Sequence, residues 1–192
     1  MTTSTTSPPK GPGIGGQALL KRRTGTSPQE FRDHYINRHA PIAIPWCLAN
    51  GVTYYAQVRA SKSRTRFRSS SENRLHFQIH RPLRWSTPDL ESRYKALGIE
   101  LDDWDAVAEM VFPPVVTIDD YYRAKTGKAY HLAVILPDER RFLLDEALKS
   151  LQGVEPGAVV GDRVKLIVDG RAAVNVGKWQ GVFDKFHAGT VS

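Results

Sequence analysis

Apolar positions along the chain fall into short runs whose spacing switches between a period of two and a period of three to four. Residues 1–16 (MTTSTTSPPKGPGIGG) carry Thr, Ser, Pro and Gly where a core needs large apolar groups, so a disordered tail is expected there. Ala18-Leu19-Leu20 predicts a strand that runs into a turn over Lys21 to Gly25. Ser27-Pro28-Gln29-Glu30 has the marks of a helix start. Ser27 can cap, Pro28 suits the first helical position and Glu30 can close a capping box. Phe31, Tyr35 and His39 follow at i, i+4 spacing, and Pro41 and Pro45 are expected to end that helix. Residues 51–59 alternate, with Val52, Tyr54, Ala56 and Val58 opposite Thr53, Tyr55, Gln57 and Arg59, which predicts a half-buried strand.

Arg74 to Arg81 alternates again, as a sheet strand or an extended arm. Thr87-Pro88 begins a second helix with Leu90, Tyr94 and Leu97 as its apolar positions and Gly98 as its stop. The clearest strand is Trp104 to Phe112, where Trp104, Ala106, Ala108, Met110 and Phe112 face away from Asp105, Val107, Glu109 and Val111. Thr117 can cap a short helix, and His131 to Leu136 reads as a strand or a buried loop. Asp138 to Leu151 reads as a helix and Arg163 to Val168 as a last strand. The end of the chain, with Trp179, Phe183 and Phe186, is expected to dock on the body. Strand, helix, strand, excursion, strand, helix, strand predicts an α+β fold, an antiparallel sheet with helices on one face. The other sheet face is apolar enough to need cover, which a second copy in a homodimer would supply.

Composition narrows the possibilities. A 192-residue chain that is 41% hydrophobic supports one domain with a real core. Its apolar runs fall far short of the ~20 residues of a membrane span. The single cysteine, Cys47, excludes an internal disulfide and any CxxC motif. Residues 1–81 hold 13 Lys or Arg against three acids, whereas residues 82–192 hold 14 bases and 17 acids. That asymmetry permits anion attraction by the first half, and the arginine cluster Arg59, Lys62, Arg64, Arg66 and Arg68 concentrates it. No nucleic-acid reading module accompanies the charge, so no nucleic-acid partner is expected. Neither a signal-peptide core nor a sequon occurs, and a cytoplasmic location is expected.

Three motifs occur in order: KRRTGTSPQEFRDHY over residues 21–35 with His39-Ala40-Pro41-Ile42-Ala43, WDAVAE over residues 104–109, and PDERRFL over residues 137–143. Together they resemble the signatures of the EthD-domain family, across about residues 17–110 and 117–170. The stretch from Tyr121-Tyr122-Arg123-Ala124 to Asp138-Glu139 resembles fungal members that serve aromatic polyketide pathways as dehydratases or decarboxylases. The resemblance implies a ferredoxin-like, dimeric α+β barrel with a small apolar cavity between sheet and helices, and no organic cofactor. It places the domain at 17–170, between the tail at 1–16 and a docked C-terminal tail at 171–192. The chain departs from the short family pattern by an insertion at about 60–100, which would form a lid or an enlarged interface. The implied activity is a cofactor-independent lyase acting on an aromatic or phenolic acid of polyketide type. A cyclase or pericyclic catalyst, a cofactor-free oxygenase and a non-catalytic ligand-binding protein stand as alternatives.

The first candidates for chemistry are His34 and His39, which the family signature carries onto these positions, with Tyr35 beside them. An imidazole can take the proton next to a carbonyl and return it to a leaving hydroxyl, as dehydration of a β-hydroxy ketone requires. Five helical residues separate the two histidines, about 140° around an α-helix, so they are not expected to point squarely into one site. Packing or capping roles for both stand beside the catalytic one. Tyr54 could donate to a substrate carbonyl, and Trp46 and Trp104 could stack on a planar ligand or simply fill space. Glu109 could orient a histidine as a supporting carboxylate, or face away from it. His131 could enter the cavity or pack. His76 and His80 share a strand face without carboxylate neighbours, so no metal site is expected.

Overall fold

The computed structural model describes residues 14–59, 83–112, 128–144 and 151–188. Strand β1 (Ile14–Leu20) enters the sheet three residues earlier than the composition suggests, because Ile14, Gly15 and Gly16 pair with Phe112, Val111 and Met110. The helix α1 (Pro28–His34) starts as its capping box dictates. Glu30 N–H donates to Ser27 Oγ at 3.2 Å and Ser27 N–H donates to the Glu30 carboxylate at 2.9 Å. Pro41 and Pro45 do not end it. The rod passes through a π-helical turn, Tyr35–His39, and continues as α2 (Ala40–Ala49) with Pro45 inside. The turn absorbs the proline. Ala40 N–H bonds back five residues to the Tyr35 carbonyl, and Pro41 follows at once, with no N–H to give and a ring that crowds the preceding turn.

Strand β2 (Tyr54–Arg59) is followed by the excursion, whose described part holds β3 (Arg84–Trp85), α3 (Pro88–Ala96) and a 3₁₀ turn, Leu101–Asp103. Strand β4 (Ala106–Phe112) returns to the sheet. A second interrupted helix comes next: α4 (Lys128–Tyr130), a π turn over His131–Ile135 and α5 (Leu136–Phe142). The apolar run from His131 is thus helical, not extended. Again the π turn closes just before a proline, with Leu136 N–H bonding to the His131 carbonyl and Pro137 next. The sheet is completed by β5 (Leu151–Val154), β7 (Asp162–Val168) and β8 (Arg171–Ala172), while β6 (Val159–Val160) pairs with β3. The helix α6 (Trp179–Ala188) lays Phe183 on the core with Trp179 and Phe186 beside it, a docked C-terminal segment.

Strand order is β5-β1-β4-β2-β7-β8, and every neighbouring pair is antiparallel. The fold is therefore α+β with an antiparallel sheet, and β5-β1-β4-β2 is the arrangement of a ferredoxin-like unit whose two helices follow its first and third strands. One sheet face carries Leu20, Tyr55, Ala106 and Phe112 against α1, α2 and α5. The opposite face corrects the expectation of an uncovered surface. Leu19, Val58 and Val107, each 0% exposed in the single chain, pack with Leu83, Tyr94 and Leu101 from the excursion. Tyr54, Ala56 and Val111 are buried on that face too. The insertion contributes cover that a second copy was expected to provide. The basic cluster of residues 62–68, with His76 and His80, lies outside the described residues.

Candidate functional site

The site forms where the two interrupted helices cross. Residues five apart in an α-helix diverge, but an i to i+5 hydrogen bond spreads each turn over more residues, and so the π turn brings His34 and His39 towards one side. Both reach the same group. His34 Nε2 lies 2.9 Å from Asp138 Oδ1, and His39 Nδ1 lies 3.0 Å from Asp138 Oδ2. The sequence expectation that the two cannot converge holds for an α-helix and fails here because the helix is not α at that turn.

Phe142, at the end of α5, seats the rings. Its centroid stands 4.8 Å from His34, 5.0 Å from His39 and 5.8 Å from Tyr35. The end of α5 is in turn laced to the turn after β1. Arg23 N–H donates to the Phe142 carbonyl at 2.7 Å and Leu144 N–H to the Lys21 carbonyl at 3.2 Å. Asp105 secures the same turn by accepting from the Arg22 backbone at 2.9 Å and from its guanidinium. Each of the three motifs thus contributes to a single brace around the Asp138 carboxylate.

Burial by itself would raise the Asp138 carboxyl, but the hydrogen bonds and charge of His39 and His34 outweigh it and hold the group below the ordinary aspartate value. Asp138 is ionised near neutral pH and accepts from both rings. His39 therefore carries its proton on Nδ1 when neutral, which leaves the Nε2 lone pair free. His39 is 6% exposed and lines a cavity beneath the helices, so that lone pair is the basic atom of the site. His34 is not among the cavity-lining residues. It holds Asp138 from the other side.

The cavity measures about 60 Å³ and is lined by Tyr35, Trp46, Tyr55 and His131 together with Cys47, Met110, Glu139 and small apolar residues of the sheet. A dry cavity that takes benzene has roughly 150 Å³. The closed part here thus holds the reacting end of a ligand rather than a fused ring system. His131 packs its ring 5.0 Å from Trp46, and burial followed by the charge of His39 lowers its pKa, so it is neutral near pH 7. Burial also raises Tyr55 well above a free phenol. Among the described residues no group of three His, Cys, Asp or Glu is arranged to hold a metal ion.

Three sequence candidates stand elsewhere. Glu109 and Tyr54 share the opposite sheet face. There Glu109 is 2% exposed and accepts from Arg163 Nε and Nη2, both at 2.9 Å, and from Gln17 Nε2. It orients an arginine, not a histidine. Tyr54 lies against that pair, and burial followed by the Glu109 charge pushes its pKa up to about 12. Trp104 packs at the edge of the excursion's cluster. The alternation of their strands gave no hint of which face the helices cover, and hence which side chains meet the cavity. The residues that sequence reasoning passed over are Asp138, Glu139 and Phe142, all inside PDERRFL. An aspartate directly after a proline in a helix's first turn is the one local signal they carry.

Matched against protein families, residues 23–145 fit the EthD domain. No curated protein and no solved structure matches the chain.

Proposed function

The chain belongs to the EthD-domain family, and from that premise we propose that it is a cofactor-independent lyase whose general base is His39. The observation that carries this reading is the hydrogen bond between Asp138 and His39 Nδ1, which leaves the Nε2 lone pair for a ligand at the wall of a largely apolar and aromatic cavity. The reaction that suits it best is dehydration of a β-hydroxy carbonyl compound. Nε2 takes the proton from the carbon between carbonyl and carbinol, and Asp138 stabilises the imidazolium that forms. The imidazolium then returns the proton to the departing hydroxyl, so that water and an enone leave and His39 is restored. Decarboxylation of a β-keto acid draws on the same base in its protonated form, delivering the proton to carbon after carbon dioxide departs.

An aromatic polyketide-type intermediate fits as substrate, because aromatisation makes either step downhill and because Trp46, Tyr35 and Phe142 give the site an aromatic wall. The fungal pathway setting rests on the resemblance of the motifs alone. The test is product mass after incubation of the purified full chain with a panel of β-hydroxy and β-keto polyketide acids. Loss of water or of carbon dioxide, reduced in H39A and in D138N, is the expected result. Unchanged turnover in H39A would remove the acid–base reading in favour of a cavity that only shapes its ligand.

A further inference from the structure

Among the described residues one acidic side chain lines the cavity, and it takes no part in the Asp138 arrangement. Glu139 lines the cavity with His39, one residue along α5 from Asp138. Among the described residues no hydrogen bond is formed to its carboxyl group. The other titratable groups at the cavity are Tyr35 and His39 from the first π turn, Cys47 from α2, Tyr55 from β2 and His131 from the second π turn, and Asp138 adjoins Glu139 on its own helix. Among the described residues that line the cavity none is Lys or Arg. Among the described residues, negative charge growing on a ligand oxygen in this cavity therefore meets no Lys or Arg, and a neutral donor would stabilise it.

We propose that Glu139 is that donor: its carboxylic acid O–H hydrogen-bonds the oxygen of an enolisable carbonyl compound or a phenol while His39 Nε2 takes and returns the carbon-bound proton. The proposal rests on the acid–base reading above and deepens it. As the C–H proton moves to Nε2, the electron pair of the broken C–H bond shifts into the C–C bond and the carbonyl π pair onto oxygen. The Glu139 hydrogen bond strengthens as that oxygen becomes an enolate. When the hydroxyl leaves with the proton from His39, the carbonyl is restored and Glu139 still holds its proton. Nothing is oxidised or reduced. Burial favours the protonated form of Glu139, and the Asp138 charge acts in the same direction against an opposing pull from His39. A carboxylic acid kept neutral by an apolar site serves other enolising enzymes in this way.

The test uses two readouts that do not depend on turnover. Thermal unfolding of the full chain, wild type and E139Q, is followed against pH. A carboxyl whose folded pKa is raised costs stability progressively as pH rises from the ordinary glutamate value of 4.5 through the folded value. E139Q should therefore gain on the wild type as pH rises, with the change confined to that window. Acetylacetone, a small enolisable diketone, is then titrated into wild type, E139Q and E139L. Its affinity should fall about tenfold in E139L and stay within about threefold in E139Q, whose amide still donates. A stability difference that ignores pH, no binding to the wild type, or equal affinity in E139L would each overturn the assignment. If this pattern holds while no polyketide substrate turns over, the lyase reading fails and the donor role of Glu139 stands.

Discussion

Asp138 and His39 meet at 3.0 Å across 99 residues of chain, one just after the proline that follows a π turn and the other the last residue of a π turn. The widened turn in the first helix lets His34 reach the same carboxylate, and the ring of Phe142 keeps both imidazoles in place. Position and tautomer thus come from one arrangement. The carboxylate that holds the His39 ring also fixes which nitrogen is free.

The first prediction separates the two histidines. H39A removes the basic atom and should lower kcat by about 10²–10⁴-fold with little change in KM. H34A leaves Nε2 of His39 at the cavity and loosens only the far side of Asp138, so a much smaller loss in kcat is expected. D138N offers an amide that can donate to one ring, frees the wrong nitrogen of His39, and should approach H39A. Steady-state kinetics on whichever substrate the product-mass panel identifies would check the order. H34A more damaging than H39A would reverse the assignment.

The second concerns pH and stability. The folded pKa of Asp138 lies below its ordinary value of 3.8, so the unfolded chain binds this proton more readily than the native one. The stabilisation it supplies is fully present above that ordinary value and is lost as pH falls through the folded pKa. The stability difference between wild type and D138N should accordingly be constant from neutral pH down to the ordinary aspartate range and shrink below it. Chemical denaturation at stepped pH measures this, and a difference that instead grows on acidification would contradict the sign.

Much of the frame behind these predictions was legible from the sequence. Strict alternation gave β2 and β4, Ser27-Pro28-Gln29-Glu30 gave the start of α1, and the order of elements gave the antiparallel α+β layer. The site was legible only in part. His34, His39, Tyr35, Trp46 and His131 all come to the crossing of the helices, whereas Tyr54, Trp104 and Glu109 do not. Periodicity assigns a residue to a face but does not say which face is covered by what. Nor does it show a π turn, because the extra residue that makes one leaves the neighbouring helical pattern intact. Asp138 stayed hidden for a related reason. Its partners are 99 and 104 residues away, and only the packing of two helices joins them.

The third prediction addresses the buried pair on the other sheet face. Arg163 and Glu109 are each 2% exposed and make two bonds to one another. R163M leaves a buried carboxylate without its countercharge and should cost about 3–5 kcal/mol. R163M with E109Q removes the uncompensated charge and should recover a large part of that loss. Denaturant unfolding of the three variants checks it, with acetylacetone binding expected to be unchanged in the double variant because the pair lies across the sheet from the cavity.

The fourth concerns association. Leu19, Val58 and Val107 are already covered within one chain by Leu83, Tyr94 and Leu101, so pairing of two copies through this face would require the excursion to move away. Stability should then be independent of protein concentration over a wide range, whatever mass is found, because among the described residues the apolar positions of this sheet face are already buried within one chain. Unfolding midpoints at concentrations spanning two to three decades, beside the mass by light scattering, decide this. A midpoint that climbs with concentration would show that the folded chain depends on association.

The last prediction follows from the π turn itself. A π turn is an α-helix with one residue too many, and removing that residue lets the flanking helices rejoin with α hydrogen bonds. Asn37 is exposed and lies mid-turn, away from Asp138, so its deletion costs few contacts directly. After deletion the two histidines are four residues apart, a spacing that shares one face of an α-helix, and both flanks can keep their packing. Phe31 and Tyr35 anchor one side against Phe142, and Ile42, Ile44 and Trp46 anchor the other in the main core. Helical content and the joint grip on Asp138 should therefore both survive. The expected signature is far-ultraviolet circular dichroism close to native, together with turnover close to that of the wild type. A fall in turnover as large as that of D138N would show that the extra residue is needed to place the histidines, and a collapse of the circular dichroism would show that the turn serves the fold rather than the chemistry.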